Sequence, residues 1–321
     1  MSSPTIIRGP QVWDGMLEKS PENFTLDISK EDHAEIDQAL STFKKFELDG
    51  GCVRPDNFPL PSFIERFEKA KDVIHKGAGF FIIRGIDQTK FSVEDSVVVY
   101  LGIARHIGDR FGLQDRKGNL LCHVTDAKTW TVPHHLRHGI HSTKELPFHN
   151  DMGCDILCLQ ARQSAASGGY TYLASGATVF NDIATRSPEA IDTLFENGWP
   201  IQVLSEHQKA ALEAVMESAK RNELRLRLNT GDILFVNNWA VLHRRDPYSD
   251  DDHTSRHLVR LWLRNNQMAW AIPQEMQVPW KAAYGRSEEE GSYSIYPMPE
   301  YKAPRYTAGS AAFVIEDSDD E

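Results

Sequence analysis

Long apolar runs are absent from this sequence. No stretch of its 321 residues approaches about 18 consecutive apolar positions, which excludes a transmembrane helix. Met1 to Gly9 carries neither a basic nor an apolar segment, so no secretory leader is expected. Cysteine is scarce too: Cys52, Cys122, Cys154 and Cys158 are the four in the chain. Without a leader they read as reduced thiols of a cytoplasmic protein. Cys154 and Cys158 lack the second Cys/His pair that zinc-ribbon spacing requires. Basic residues are in deficit, with 35 Lys and Arg against 46 Asp and Glu and a net charge of −11. That balance argues against nucleic acid or an anionic membrane surface as partner and leaves self-association open. Gly/Ser linkers, Pro-rich linkers and internal repeats are missing. The chain therefore reads as a single domain over 1–321, with an N-terminal helical extension over about 1–78 and an acidic tail over about 309–321. Hydrophobic residues at 40% and charged residues at 25% match ordinary globular usage and exclude collagen-like and coiled-coil classes.

What is present is helical early and strand-rich late. Ser29 and Asp32 have capping-box spacing, and Ile36, Leu40 and Phe43 follow on one helical face. Further helices are expected over 63–76, 93–107 and 209–221. The run 79–85 (GFFIIRG) is apolar, β-rich and bounded by glycines, and reads as a buried strand. Later strands are expected over 170–173, 224–228, 233–236 and 256–263, with turns at 229–232 and Asn237-Asn238. Many short strands with helices before them predict a β-rich α+β protein, a sandwich or barrel buttressed by helices.

Most of the 13 histidines must be bland. The run His134-His135-Leu136-Arg137-His138-Gly139-Ile140-His141 contains no carboxylate and reads as a polar loop, a candidate lid. Phe148-His149-Asn150-Asp151 is sharper. In an extended strand His149 and Asp151 share a face and offer an imidazole nitrogen and a carboxylate oxygen to one metal ion. A third ligand would come from His243, at the end of the apolar run 239–243. Two histidines and one carboxylate form the facial triad that leaves positions on Fe(II) open for oxygen chemistry. On the strand that follows, Arg256, Leu258, Arg260 and Trp262 share one face. A buried guanidinium is costly without an anion. The two arginines stand about 13 Å apart along the strand, far enough to serve two different carboxylates.

Together these residues resemble the TauD/TfdA-like (taurine dioxygenase-type) family of Fe(II)- and 2-oxoglutarate-dependent oxygenases. The matching elements are His149-x-Asp151, Gly168-Gly169-Tyr170-Thr171 with Ala174-Ser175-Gly176, His243, and Arg256-x-x-x-Arg260, in order over roughly 79–264. The segment Gly9-Pro10-x-Val12-Trp13 and the helix around Ile36 are similar to the N-terminal part of some members. The acidic turn Asp250-Asp251-Asp252 departs from the pattern, and Asp151 argues against a halogenase of this class. The resemblance implies a double-stranded β-helix (jelly-roll, cupin-like) core with flanking helices. It implies Fe(II) on His149, Asp151 and His243, and the distal carboxylate of 2-oxoglutarate on Thr171 and Arg256. It implies O2 as oxidant, release of succinate and CO2, and oxidation of an unactivated C–H bond by hydroxylation, desaturation or cyclisation. Arg260 matches a position that meets an anionic group of substrate, which suggests a small organic acid, amino acid or natural-product intermediate. Gln114 and Trp239 are expected at the substrate, with Asn119 and His123 as further polar contacts. The rival readings are a metal-dependent hydrolase or isomerase, which needs no carboxylate clamp, and a non-enzymatic cupin-like binding protein, which needs no full triad.

Overall fold

The computed structural model describes residues 5–129, 131, 133, 137–196, 198–199, 203–287 and 291–297. His134, His135, Leu136 and the acidic tail lie outside the described residues. In chain order the strands are β1 (Thr25–Asp27), β2 (Phe80–Arg84), β3 (Arg110–Gly112), β4 (Leu121–Thr125), β5 (Leu146–His149), β6 (Ile156–Gln163), β7 (Ser167–Gly168), β8 (Thr171–Ser175), β9 (Leu224–Leu226), β10 (Ile233–Asn237), β11 (Val241–Arg245), β12 (Tyr248–Ser249) and β13 (His257–Arg264). The α-helices are α1 (Lys30–Lys44), α2 (Ile64–Lys76), α3 (Val93–Ile107), α4 (Gly176–Arg186), α5 (Pro188–Leu194), α6 (Glu206–Arg221) and α7 (Gln277–Tyr284).

Alternation along the strands builds the layers. The larger sheet runs β1-β2-β10-β6-β13-β3, with β4 also paired to β13. Successive residues of its central strands face opposite ways. Phe81, Ile83, Cys158, Phe235, Val259 and Leu261 pack under α1, α2 and α3. Phe80, Ile82, Leu157, Leu234, Val236, Leu258 and Trp262 pack inward against Leu173, Leu224, Leu226 and Val241 of the second sheet. Strands buried on both faces have no polar side to present, which explains the near-continuous apolar runs 80–83 and 233–236. Each such side chain stabilises the fold by up to about 1.5–3 kcal/mol.

The second sheet runs β5-β11-β8-β9. Its outer face, with Phe148, Ala174, Tyr172 and Leu242, packs on α4, α5 and α6. Two facing sheets that do not close into a barrel, with helices on both outer faces, form the expected β-rich α+β jelly-roll architecture.

Local expectations meet the structure closely. The Ser29 hydroxyl accepts from Asp32 N at 3.1 Å while Ser29 N donates to the Asp32 carboxylate at 2.9 Å, so the capping box is formed. The same carboxylate takes two bonds from Arg66, tying α1 to α2. Three details differ. Helices α4 and α5 had no expectation over them. Strand β9 stops at Leu226, because the chain turns at 229–232, where Asn229 N donates to the Asp232 carboxylate at 3.0 Å. Arg256 stands one residue before β13, its N–H donating to Asp250 at 2.8 Å and not to a neighbouring strand.

Candidate metal centre

Strand register brings the two histidines together. β5 and β11 are antiparallel, with His149 directly opposite His243, and the ring centroids are 4.2 Å apart. Asp151 lies just beyond β5, in the turn that leads to β6. His149 Nε2 is 3.8 Å from Asp151 Oδ1, and His243 Nε2 is 4.0 Å from the same oxygen. All three donor atoms lie within 4.8 Å of one another.

The surroundings fix how each donor points. His149 Nδ1 donates to the Pro147 carbonyl at 2.8 Å. That bond fixes the ring orientation and turns Nε2 toward the cluster. His243 is buried, and burial, reinforced by His149, pushes its imidazole down to about 3, so the ring is neutral. Neutral imidazole is the form that binds metal. Asp151 Oδ2 accepts from Arg260 Nη1 and from Trp262 Nε1, both at 2.9 Å. Burial pushes the Asp151 carboxyl up, but the Arg260 guanidinium, with the Trp262 hydrogen bond, outweighs it, so the carboxyl is held below the usual range. One carboxylate oxygen is therefore tied back, and the other faces both imidazoles.

Asn238 frames the turn. Its amide donates to the Asp151 and Cys154 carbonyls and accepts from Asp151 N at 2.8 Å. Asn150, between the two proposed ligands, points to the other face and donates to the Asn238 and Val241 carbonyls. Asn237-Asn238 reads from sequence only as a turn; its side-chain bonds to the Asp151 turn need three dimensions to appear.

Arg256 is buried at 4% exposure, and its Nη1 has no hydrogen-bond partner. Burial and then the neighbouring Arg245 push its guanidinium down to about 10. Gly169, at φ +70°, runs so close that a Cβ there would stand 2.9 Å from Arg256 Cδ and Nε. Thr171, two residues on, is buried and pairs across β8–β11 with Arg245. A buried guanidinium with an unpartnered Nη1, beside a hydroxyl-bearing strand, fits an entering carboxylate, as two imidazoles and a carboxylate oxygen turned toward them fit a divalent cation.

The remaining expected residues are placed as follows. Arg260 donates to Asp151 and, through Nε, to Gln114 Oε1 at 2.7 Å. Gln114 Nε2 in turn donates to the Leu120 and Arg260 carbonyls. Trp239 Nε1 donates to Asp155 at 2.8 Å, and its ring lines a cavity of about 270 Å³ with Asn150, Val179, Phe180 and Leu242. Asn119 bonds Asp115, and His123 is buried against His257. Trp262, which sequence reading placed on the Arg260 face without a role, is a direct partner of Asp151. Arg245 and Tyr248 carried no expectation; the signal available for Arg245 was its position two residues after His243, hence on the same strand face.

Residues 43–205 and 197–262 match the model of the Taurine catabolism dioxygenase TauD, TfdA family. The chain is 28% identical over 337 aligned positions to the taurine hydroxylase-like protein SAT17 of Stachybotrys chartarum, covering 89% of this chain and 87% of that protein. It is 22% identical to the FR-33289 synthase of Streptomyces rubellomurinus, covering 80% and 90%. Among solved structures, asparagine oxygenase in complex with Fe(II), 3-hydroxyasparagine and succinate superposes with a TM-score of 0.55 at 15% identity, covering 76% of this chain and 95% of that one. The non-heme iron oxygenase OrfP with Fe and alpha-ketoglutaric acid superposes with a TM-score of 0.55 at 16% identity, covering 75% and 94%. These two likenesses show the fold.

Proposed function

The chain belongs to the TauD/TfdA family and is thereby an oxidoreductase dependent on Fe(II) and 2-oxoglutarate, and from that premise we propose that it hydroxylates an unactivated C–H bond of a small organic acid or amino acid. His149, Asp151 and His243 are the Fe(II) ligands in this reading, and Thr171 and Arg256 hold the distal carboxylate of 2-oxoglutarate. The observation that carries it is the division of labour on Asp151: Oδ2 is held by Arg260 and Trp262 while Oδ1 faces the Nε2 atoms of both histidines. A core carboxylate with a purely structural role would have both oxygens satisfied.

With Fe(II), 2-oxoglutarate and O2 bound, the metal centre supplies the oxidation, coupled to conversion of 2-oxoglutarate to succinate and CO2. The chain's residues supply placement. His149, Asp151 and His243 would hold the metal and leave positions on it open for co-substrate and oxygen. Arg256 grips the distal carboxylate, which fixes the direction from which the keto acid approaches. Apolar residues of the inter-sheet core keep water away.

The substrate class is supported by the relatives. Asparagine oxygenase and OrfP are solved with 3-hydroxyasparagine and (3S)-hydroxy-L-Arg, both amino acids. Arg260 would then act through Asp151, which it holds, and Gln114 through Arg260, with Trp239 at the turn before β11. A single catalytic domain is supported by residues of 1–78, including Ile36, Phe43 and Phe67, in the same core as β10 and β13. Among the described residues no helix is long and apolar enough to cross a membrane.

The test is anaerobic absorption on adding Fe(II) and then 2-oxoglutarate. A weak metal-to-ligand band in the native protein and none in His243→Ala is the expected result, followed by succinate release in the presence of amino acids or carboxylates. Bound Fe(II) with no band in the native protein would overturn the reading in favour of a metal-dependent hydrolase.

A further inference from the structure

Two buried arginines flank one tyrosine beside the metal centre. The Cζ of Arg245 lies 5.1 Å from the Tyr248 ring centroid, and that of Arg256 lies 5.2 Å from it. Arg245 and Arg256 are each 4% exposed and Tyr248 is 7% exposed. Arg245 Nε and Nη1, Arg256 Nη1 and the Tyr248 hydroxyl all lack a hydrogen-bond partner. Four unsatisfied polar atoms in one buried place, between two like charges, are costly without an anion. The nearby carboxylates hydrogen-bond neither guanidinium, and Asp126 Oδ1 and Asp246 Oδ1 are themselves buried without a hydrogen-bond partner. Asp250 accepts from Arg256 N and faces Lys128 Nζ at 3.0 Å; Asp126 faces Arg137 at 3.6 Å; Asp246 accepts from Tyr172.

The remaining nitrogen of Arg245 does a different job. Nη2 donates to the carbonyls of Gly139 at 3.3 Å, Ser142 at 2.9 Å and Lys144. This segment holds His141, buried at 4%, whose carbonyl accepts from Ala127 N beside β4. One guanidinium thus carries three backbone carbonyls on one side and free donors on the other.

We propose that Arg245, Arg256 and Tyr248 form a single buried cradle for the distal carboxylate of 2-oxoglutarate, and that Arg245 couples its occupancy to the placement of segment 139–144. The inference rests on Arg256 as the co-substrate clamp and goes beyond it by adding two donors and a positioning role. An anion on Nε and Nη1 holds the Arg245 fork in one plane and thereby holds Nη2 on the three carbonyls. Without the anion, repulsion from Arg256 loosens the fork, and segment 139–144 with it.

The experiment titrates anaerobic Fe(II)-loaded full-length protein with 2-oxoglutarate, reading affinity by absorption and amide hydrogen exchange across 139–144. In the native protein, 2-oxoglutarate slows exchange in this segment. Arg245→Lys keeps the charge but loses the fork, so affinity falls about 10- to 100-fold, the range for one charge-assisted hydrogen bond, and the slowing disappears. Tyr248→Phe removes only a hydroxyl, leaves the clamp on 139–144 intact, and weakens binding about tenfold. Affinity within twofold of native in both variants would overturn the cradle, and if Arg245→Lys does not fold, Tyr248→Phe alone decides. Weaker binding with exchange still slowed in Arg245→Lys would overturn the coupling. Arg256→Gln is the reference: native affinity there would remove the underlying clamp, an outcome separate from failure of the Arg245 variant.

Discussion

Replacing Arg260 by Met separates two roles for this arginine. If Arg260 holds Asp151, its loss leaves a carboxylate with 4% side-chain exposure facing only Trp262 and the two imidazoles. Removing one partner of a buried ion pair costs about 3–5 kcal/mol, because the surviving charge is left uncompensated. At about 2.1 cal/mol/K of unfolding entropy per residue, that corresponds to a fall of about 4–7 °C in the melting temperature of a 321-residue chain. The metal-free protein should show the full fall. With Fe(II) bound to Oδ1, the metal's charge offsets the same carboxylate, and Trp262 still fixes Oδ2. Fe(II) should therefore restore more stability to Arg260→Met than to the native protein, by about 1.4 kcal/mol or more, which is tenfold in metal affinity. Anaerobic thermal unfolding with and without Fe(II) measures both quantities. A metal-free melting temperature within 1 °C of native, on the order of a surface substitution, would show that Arg260 does not compensate Asp151. An equal loss with and without Fe(II) would show that Asp151 is not the carboxylate the metal meets.

Three further outcomes are expected. Arg256→Gln should bind Fe(II) normally yet lose the absorption band and coupled succinate release; normal turnover would mean that the co-substrate sits elsewhere. Gly169→Ala places a Cβ 2.9 Å from Arg256 Cδ in a backbone at φ +70°; about 1–2 kcal/mol of left-handed strain plus displacement of the guanidinium should weaken 2-oxoglutarate binding about tenfold and leave Fe(II) affinity unchanged. Acid should destabilise the fold through His123 and His257: His123 Nε2 donates to Ser294 O at 2.7 Å and Nδ1 accepts from His257 at 2.8 Å, and burial pushes the two rings down to about 4 and about 3. Because both native values lie below the unfolded value near 6.5, the unfolded chain binds more protons, and stability present above pH 6.5 is lost as pH falls toward 4. The slope is up to about 1.4 kcal/mol per pH unit for each ring, so His257→Asn should flatten urea-unfolding stability over that range by about one ring's share.

Fold and metal centre were legible to different depths, for physical reasons. The capping box at Ser29, helix 93–107 and the strands read over 79–85 and 233–236 follow from local pattern and apolar runs, and the structure has them, with Asn237 closing β10 where a turn was expected. Helices α4 and α5 carry short apolar stripes split by Ser187-Pro188, and a stripe of that length does not distinguish helix from loop. His149 and His243 can be paired only through the β5–β11 register, a contact across nearly a hundred residues; in sequence that contact is visible only through the family pattern. Arg260 shows most clearly what one-dimensional reading misses. Its charge, strand face and need for an anion were all readable, but the anion it meets in the structure is Asp151, in a turn after another strand. Arg245 and Tyr248 were missed because nothing local marks an arginine on a strand as lacking a partner; only the three-dimensional hydrogen-bond accounting does.

That accounting also orders the binding events. Bonded as a pair, Asp151 and Arg260 are neutral together, whereas Arg245 and Arg256 leave two positive charges with no bonded anion nearby. A divalent cation entering alone meets two imidazoles and one shared carboxylate, with the two arginine charges beyond them. The 2-oxoglutarate dianion neutralises the arginine pair at one end and reaches the metal at the other. Each ligand therefore lowers the electrostatic cost of the other, and linkage makes the effect mutual: the factor by which 2-oxoglutarate tightens Fe(II) must equal the factor by which Fe(II) tightens 2-oxoglutarate. A coupling of about 1–3 kcal/mol is the usual size. Because Arg256 contributes one of these charges, Arg256→Gln should bind Fe(II) alone at least as tightly as the native protein and lose its enhancement by 2-oxoglutarate. Enhancement that survived in that variant would mean that the dianion acts on the metal through its chelating end alone, and that the buried arginine pair contributes nothing to assembly of the site.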